Sequence, residues 1–423
     1  MLSLVDIREN QGKIIQGLKK RKFSKIELIN QLKDIDRDRR RIKAKLDNHL
    51  SEGNRLAKEI GFLFKSGDNE RANLLKEKTS TIKINSKELN KKLEKIEHQL
   101  INLRIQIPNV PDEDVPIGDS YKYNEEVFKS GKIPNLSKTA LSHWELSTKY
   151  NLIDFDAGSK ITGAGFPIYK GNGAKLQRAL IQFFLDRNIS AGYEEYQVPL
   201  IVNKESAFGT GQLPDKDGQM YHIQDENFYL IPTSEVPLTN IFRGQIINSK
   251  DLPICITGYT PCFRREAGSY GSNVRGLNRL HQFDKVEIVR IENPECSYDA
   301  LDKMLNHVKK LLHSLELPYR ILNLCGGDLG FTSAITYDFE IFSSAQNKWL
   351  EVSSVSNFET FQSIRLKLKY KDINGKNQFA HTLNGSSLAL PRVMAGILEN
   401  NQTNDSIKIP KVLIPYTDFK LIS

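Results

Sequence analysis

The chain has 423 residues, 39% hydrophobic and 26% charged, with a net charge of +9, which exceeds one ordinary core and predicts two domains, or one large domain with an appendage. Its four cysteines, Cys255, Cys262, Cys296 and Cys325, form no CxxC pair, which argues against a disulfide framework or structural zinc and for a reducing, cytoplasmic setting. There is no run of 18 apolar residues and no apolar leader at the N-terminus, so neither a membrane span nor secretion is expected.

The positive charge is uneven. Residues 1–105 carry 26 Lys+Arg against 15 Asp+Glu, and the remainder carries 34 against 36. Such an excess suits nucleic-acid phosphates, and equally a solvated helix surface. From Leu28 the apolar positions step by fours and threes through Leu32, Ile35, Ile42, Leu46, Leu56 and Ile60, with Arg39, His49 and Gly53 in three of the slots. A second series runs Leu75, Ile82, Leu89, Leu93, Ile96, Leu100, Leu103 and Ile107, interrupted by Thr79 and Ser86. Both are heptad patterns, broken between them by Gly61 and the polar run 65–69, and so predict an antiparallel helical hairpin on the order of 50 Å long. With one seam to bury, such a rod serves reach better than stability. The basic blocks at 19–22, 39–45 and Lys91-Lys92 suit phosphate contacts. Pro108, Pro111 and Pro116 then end the helix. We read 1–107 as the arm domain, 108–120 as a linker and 121–423 as a second domain.

In that second domain, helical stretches at 174–186 and 298–315 are mixed with strand-like runs at 193–202, 228–231, 255–264, 283–291, 319–324, 334–342 and 349–354. The order is irregular, so the expected class is α+β, an antiparallel sheet flanked by helices. Neither GxxxxGK[ST] nor a helix-opening GxGxxG occurs, which leaves P-loop and dinucleotide folds unsupported.

Thr233-Ser234-Glu235 follows an apolar run and Pro232, and offers hydroxyls beside a carboxylate. The run Cys262-Phe263-Arg264-Arg265-Glu266 puts an arginine and a carboxylate two residues apart, which on a strand share one face while Arg265 points away. The return run 279–287 adds Arg279, Phe283 and Glu287, four residues apart, with a flexible tip at 267–272. Either half alone fits a surface ion pair or a core aromatic. Together they read as a hairpin that grips a nucleotide: guanidinium for phosphate, ring for base, carboxylates for a cation or ammonium. Glu351-Val352-Ser353-Ser354 supplies a carboxylate and hydroxyls suited to Mg²⁺ with a triphosphate. In the run 381–392, Gly385 and its small neighbours are read as a close approach at a helix start, with Arg392 in reach of a phosphate.

These residues resemble a known family. FRRE with RLHQFDKVE resembles motif 2 of class II aminoacyl-tRNA synthetases, NGSSLALPR resembles motif 3, and 191–200, with Pro199, resembles motif 1, the dimer-building element. The helical hairpin, GTGQLP at 209–214, IPTSEVPLTN at 231–240 and TPCFRREAGSYG at 260–271 resemble the seryl-tRNA synthetases of bacterial type, over essentially the whole chain. The resemblance implies ATP-dependent activation of L-serine and its transfer to tRNA(Ser), with tRNA(Sec) as a further candidate acceptor, in a cytoplasmic homodimer using Mg²⁺.

By the same resemblance, Arg264, Glu266 and Arg392 are the catalytic residues. ATP would be held by Arg264 at the α-phosphate, Glu266 at the adenine amino group, Phe283 at the adenine ring and Arg392 at the γ-phosphate, together with Arg265, Glu351, Val352, Ser353 and Ser354. Mg²⁺ would be held by Glu351 and Ser354. Serine would be held by Thr233, Ser234, Glu235, Arg264, Glu287, Asn384 and Ser386. Ser387 and Pro391 stand where many members carry glycine, and Val355 where many carry cysteine. An amino-acid:carrier-protein ligase and a catalytically silent RNA-binding relative are the alternatives; the first has little use for a basic arm, and the second would have lost Arg264, Glu266 or Arg392.

Overall fold

A computed structural model of the chain describes residues 1–137, 139–267 and 275–423. Residues 268–272 of the expected hairpin tip lie outside the described residues. The chain divides into two compact units. The smaller comprises Leu2–Lys19 and Phe23–Pro108; the larger comprises Met1, Lys20–Lys22 and Asn109–Ser423.

The smaller unit holds the short helices α1 (Leu4–Glu9) and α2 (Gln11–Lys20) and the long helices α3 (Glu27–Lys65) and α4 (Asn69–Arg104). The two long helices form the expected hairpin. Leu28, Leu32, Leu46 and Leu56 of the first heptad series are buried, as are Ile82, Leu100 and Ile107 of the second. Gly61 does not break α3, which continues to Lys65. The turn comes at Gly67, whose φ of +83° suits glycine, and Asp68 caps α4 by accepting from the Arg71 amide at 3.2 Å. Asp36, 1% exposed, is an acid inside this seam. It is clamped by Arg8 at 2.7 Å and Arg39 at 2.8 Å, with Arg40 at 3.4 Å. Burial alone would raise its carboxyl pKa, but the hydrogen bonds from Arg39 and Arg8 outweigh that and hold it below the usual range. Arg39 and Arg40 are thus drawn toward Asp36 instead of being wholly free for phosphate.

The block at 19–22 is corrected further, since Lys20 and Arg21 belong to the larger unit and bond within it. The Arg21 guanidinium donates to the carbonyls of Asn109, Ser333, Leu329 and Gly330, and Lys20 donates to those of Asp112 and Glu113. Residues 109–120 are not a free linker either. The Asn109 and Asp112 amides donate to Phe331 O and Ala334 O, Asn109 Nδ2 to Phe358 O, and Val115 is buried.

The larger unit is built on an eight-stranded sheet. In chain order its strands are β1 (Glu125–Ser130), β2 (Glu194–Glu195), β3 (Ile254–Phe263), β4 (Gln282–Glu292), β5 (Tyr319–Asn323), β6 (Ile335–Ser343), β7 (Lys348–Asn357) and β8 (His381–Ala389). In space the order is β1-β5-β6-β7-β8-β4-β3-β2. All neighbours are antiparallel except β2 and β3. The 193–202 run is therefore only partly strand. Helices α5 (His143–Lys149), α6 (Gly171–Ser190), α7 (Glu235–Asn240), α8 (Ser297–Ser314), α9 (Thr360–Leu366) and α10 (Leu390–Asn400) accompany the sheet. One core joins sheet and helices through Phe183 and Phe184 of α6, Met304 and Val308 of α8, Phe339 of β6 and Met394 of α10, all with no exposed surface. Each such side chain contributes about 1.5–3 kcal/mol by leaving water.

Two expectations about local structure are corrected. Gly385 lies inside β8, not at a helix start; a Cβ there would sit 3.2 Å from Val355 Cγ2 and 3.3 Å from Met304 Cε, so a side chain would be accepted only if those neighbours gave by a few tenths of an ångström. Helix α10 begins only at Leu390. Strand β3 ends at Phe263, and Glu266 has φ +47°, so strand alternation does not bring Arg264 and Glu266 to one face. A sharp left-handed step does so instead.

Candidate active site

Strands β4, β7 and β8, the start of α10 and the segments that follow β3 and precede β4 border a cavity of about 240 Å³ lined by Arg264, Glu266, Arg279, Phe283, Lys285, Glu351, Val352, Ser353, Ser386 and Arg392. Both halves of the motif read from the sequence thus meet in one space. The Arg264 guanidinium lies 5.3 Å from the centroid of the Phe283 ring, and its Nε donates to Pro232 O at 3.4 Å. Glu266 pairs with Arg279 at 2.8 Å. Arg279 precedes β4, so it reaches the cavity from the turn and not by strand alternation. Arg392 donates from Nε to Asn278 O at 2.9 Å and from NH1 to Glu351 O at 2.8 Å, which holds its fork at the cavity edge. Arg265 does not line the cavity; its amide donates to Gln219 O.

Behind this space lies a buried polar cluster. Glu287 has no exposed surface and accepts from Thr233 Oγ1 at 3.2 Å, Asn384 Nδ2 at 3.1 Å and Lys285 Nζ at 2.6 Å. Glu235 accepts from Gln362 Nε2 at 2.6 Å. Its carboxyl is pushed up to about 7, first by burial and then by the charge of Glu287. The cluster thus holds two acidic groups with only Lys285 in contact, an arrangement that favours a further small cation such as an ammonium, which would draw the proton from Glu235. Lys285 joins the two regions, since it lines the cavity and pairs with Glu287. Ser234 is turned away and donates to Gly258 O at 3.4 Å, while Ser353 donates to Ser386 O at 2.6 Å. Those two hydroxyls hold backbone.

A third group surrounds Glu351. Ser354 Oγ donates to Asp338 and lies 3.5 Å from Glu351 Oε1. The Asp338 carboxyl is held well above the usual carboxylate range by burial and by the nearby charge of Glu351. Two carboxylates crowded around a hydroxyl, at the rim of a cavity lined by arginines, match the oxygen donors that a hard divalent cation prefers.

Sequence reading missed Lys285, Asp338, Gln362 and Asn278. Lys285 had a usable signal, because it sits midway between Phe283 and Glu287 and shares their strand face. Asp338 lies opposite Ser354 across the β6–β7 ladder, and that pairing exists only in the folded sheet. The two departures in 387–391 are also accounted for. Ser387 Oγ donates to Asn188 Oδ1 at 2.7 Å, and Pro391 sits in the first turn of α10, where a missing N–H costs no helical bond.

Comparisons with known proteins bear on this geometry. Residues 1–111 match the family model "Seryl-tRNA synthetase N-terminal domain", and residues 221–401 match "tRNA synthetase class II core domain (G, H, P, S and T)". The chain is 47% identical to a serine–tRNA ligase of Salinibacter ruber over 100% of this chain and 99% of that one. It is 44% identical to a serine–tRNA ligase of Hydrogenobaculum over 98% and 99%. Among solved structures, the seryl-tRNA synthetase of Pyrococcus horikoshii complexed with ATP superposes with a TM-score of 0.91 at 32% identity, over 100% of this chain and 99% of that chain. The cytoplasmic enzyme of Naegleria fowleri with AMP gives 0.86 at 25% identity over the same shares.

Proposed function

Since the chain belongs to the seryl-tRNA synthetase family, we propose that it activates L-serine with ATP, forming seryl-adenylate and pyrophosphate, and transfers the seryl group to the 3′ end of tRNA(Ser). The observation that carries this reading is the join at Lys285 between an arginine-lined cavity and a buried two-carboxylate cluster. ATP fits the first. Arg264 faces the α-phosphate, Phe283 the adenine, Glu266 the adenine amino group and Arg392 the γ-phosphate. The serine ammonium fits the second, near Glu235 and Thr233, with Glu287, Asn384 and Ser386 around the hydroxyl. A substrate without that hydroxyl would displace water from these polar groups and return no hydrogen bond, which disfavours it in a small pocket.

In the reaction the serine carboxylate attacks the α-phosphorus in line, and Arg264 is oriented to stabilise the charge that builds on the phosphoryl oxygens. No side-chain nucleophile is required. Glu351 and Ser354 would hold Mg²⁺, with Asp338 behind Ser354, and the crowded carboxylates there fit such an ion. Bound there, Mg²⁺ would neutralise triphosphate charge.

The smaller unit, with its basic excess and its N-terminal-domain match, supports tRNA as acceptor over a carrier protein. We assign it to tRNA binding and residues 121–423 to catalysis, with 109–120 packed on the catalytic unit. The 191–200 segment, whose two-residue strand β2 is at the sheet edge, is the proposed homodimer contact. Among the described residues no helix is long and apolar enough to cross a membrane, and the cytoplasm is the proposed place of action. The deciding experiment is aminoacylation of total tRNA with serine, threonine and alanine. Serine alone should be attached, and incorporation into a purified tRNA(Sec) tests the second acceptor. Attachment of serine to a carrier protein instead of tRNA would favour the ligase alternative.

A further inference from the structure

The mechanism above makes no use of a buried histidine and glutamate next to the cavity. His143, in the first turn of α5, and Glu399, near the end of α10, have no exposed surface. Glu399 Oε1 lies 2.7 Å from His143 Nδ1 and also accepts from the His143 amide at 3.0 Å. The other ring nitrogen, Nε2, accepts from the Leu277 amide at 2.8 Å. A backbone N–H can only donate, so Nε2 must offer its lone pair and the ring proton sits on Nδ1, facing Glu399. Glu399 reaches the neighbouring residue by a second route. It accepts from Gln346 Nε2 at 2.9 Å, and Gln346 Oε1 in turn accepts from Asn278 Nδ2 at 3.0 Å.

Both routes converge on two consecutive residues of the cavity wall, Leu277 and Asn278. The carbonyl of Asn278 receives Arg392 Nε. Arg392 and Glu399 are seven residues apart on α10, two turns along one face. A closed loop of hydrogen bonds therefore runs from the helix through Glu399, His143 and Leu277–Asn278 back to Arg392. The packing leaves no slack in it. Gly276 has φ +67°, and a Cβ there would fall 2.3 Å from His143 Nε2. Trp144 stacks edge-on to His143 at 4.8 Å and carries Arg275 over its ring at 4.9 Å.

We propose that His143, oriented by Glu399, is a positioning residue for ATP: it fixes the Leu277–Asn278 backbone and thereby the guanidinium of Arg392 at the cavity edge. The inference rests on the proposed function for the identity of the nucleotide, and it separates His143 from the serine cluster, which it does not touch.

Two substitutions test it. Asparagine at 143 puts an amide N–H near the Nδ1 position and keeps the bond to Glu399, but is too short to accept from Leu277. Glutamine can place an oxygen near Nε2 and keep that acceptor. ATP binding is measured by calorimetry without serine, and KM values for ATP and serine by pyrophosphate exchange. His143→Asn should weaken ATP binding and raise its KM about tenfold, the worth of one buried hydrogen bond, with KM for serine unchanged. His143→Gln should recover most of the loss. Unchanged ATP affinity in His143→Asn, an equal rise in both KM values, no recovery in His143→Gln, or failure of His143→Asn to fold would each overturn the assignment. A wild-type chain that binds ATP but shows no serine-dependent exchange refutes the proposed function instead, and the calorimetric comparison still decides the role of His143.

Discussion

Lys285 Nζ lies 2.6 Å from Glu287 Oε2, with 7% and 0% of the two side chains exposed. Removing the cation leaves a carboxylate buried among hydroxyls and amides. Lys285→Ala is expected to cost about 3–5 kcal/mol of folding stability, the usual consequence of breaking a buried pair from one side. A denaturant titration checks this; an unchanged midpoint would mean that water already reaches Glu287.

The Glu235 carboxyl, pushed up to about 7 from an ordinary 4.5, holds its proton more tightly folded than unfolded. Its contribution to stability is therefore complete below pH 4.5 and is lost as pH rises through 7, a span worth on the order of 3 kcal/mol. Glu235→Gln should flatten the stability profile across that window. Serine binding to the wild type near pH 7 should release a proton, because an ammonium beside Glu235 favours the carboxylate. Calorimetry in buffers of different ionisation enthalpy reads that proton directly.

Asp338 accepts the Ser354 hydroxyl proton and so fixes the Ser354 oxygen beside Glu351. Asp338→Asn should raise the Mg²⁺ concentration needed for half-maximal exchange about 10–100-fold, as loss of an outer partner of a metal ligand commonly does. An unchanged Mg²⁺ dependence would remove Asp338 from the ion's surroundings.

Arg264→Ala should abolish serine-dependent ATP–pyrophosphate exchange while the chain stays folded. Its guanidinium packs on Phe283 at the cavity surface and its Nε–carbonyl contact is long at 3.4 Å, so little stability is at stake. Near-normal exchange would exclude the proposed role.

Replacing residues 44–91 by a short glycine turn shortens the hairpin but retains Asp36 and its arginines. Gly53 faces Ile82 across the seam, so the cut ends are close to one level. Adenylate formation should persist and aminoacylation of tRNA(Ser) should fall by orders of magnitude. Charging at the normal rate would give the arm another task.

Much of this was legible before the structure. The heptad series around Leu46 and Ile82 needs only local periodicity, and the β3–β4 hairpin announces itself by residue types close in sequence. The errors arise where local rules meet long-range packing. Glu266 enters the cavity through a positive φ that strand alternation does not anticipate. Gly385 sits within a strand, closely packed by Val355 and Met304 and not at a helix start. His143 reaches the site from 134 positions before Leu277, too far for any motif to reveal. Lys20 and Arg21 look like phosphate ligands because a sequence shows charge but not the carbonyls that capture it.

Pro391 stands in the first turn of α10, one residue before the arginine that reaches the cavity edge. Its ring restricts the disordered chain to a narrow φ already compatible with the helix, so the ordering that precedes Arg392 is partly achieved before folding begins. A glycine there would widen the unfolded ensemble and lower stability by about 0.4–1 kcal/mol from that source alone, apart from the packing lost with a buried ring that lines the cavity. The proline thus acts on a state of the chain in which neither the cavity nor its arginine yet exists.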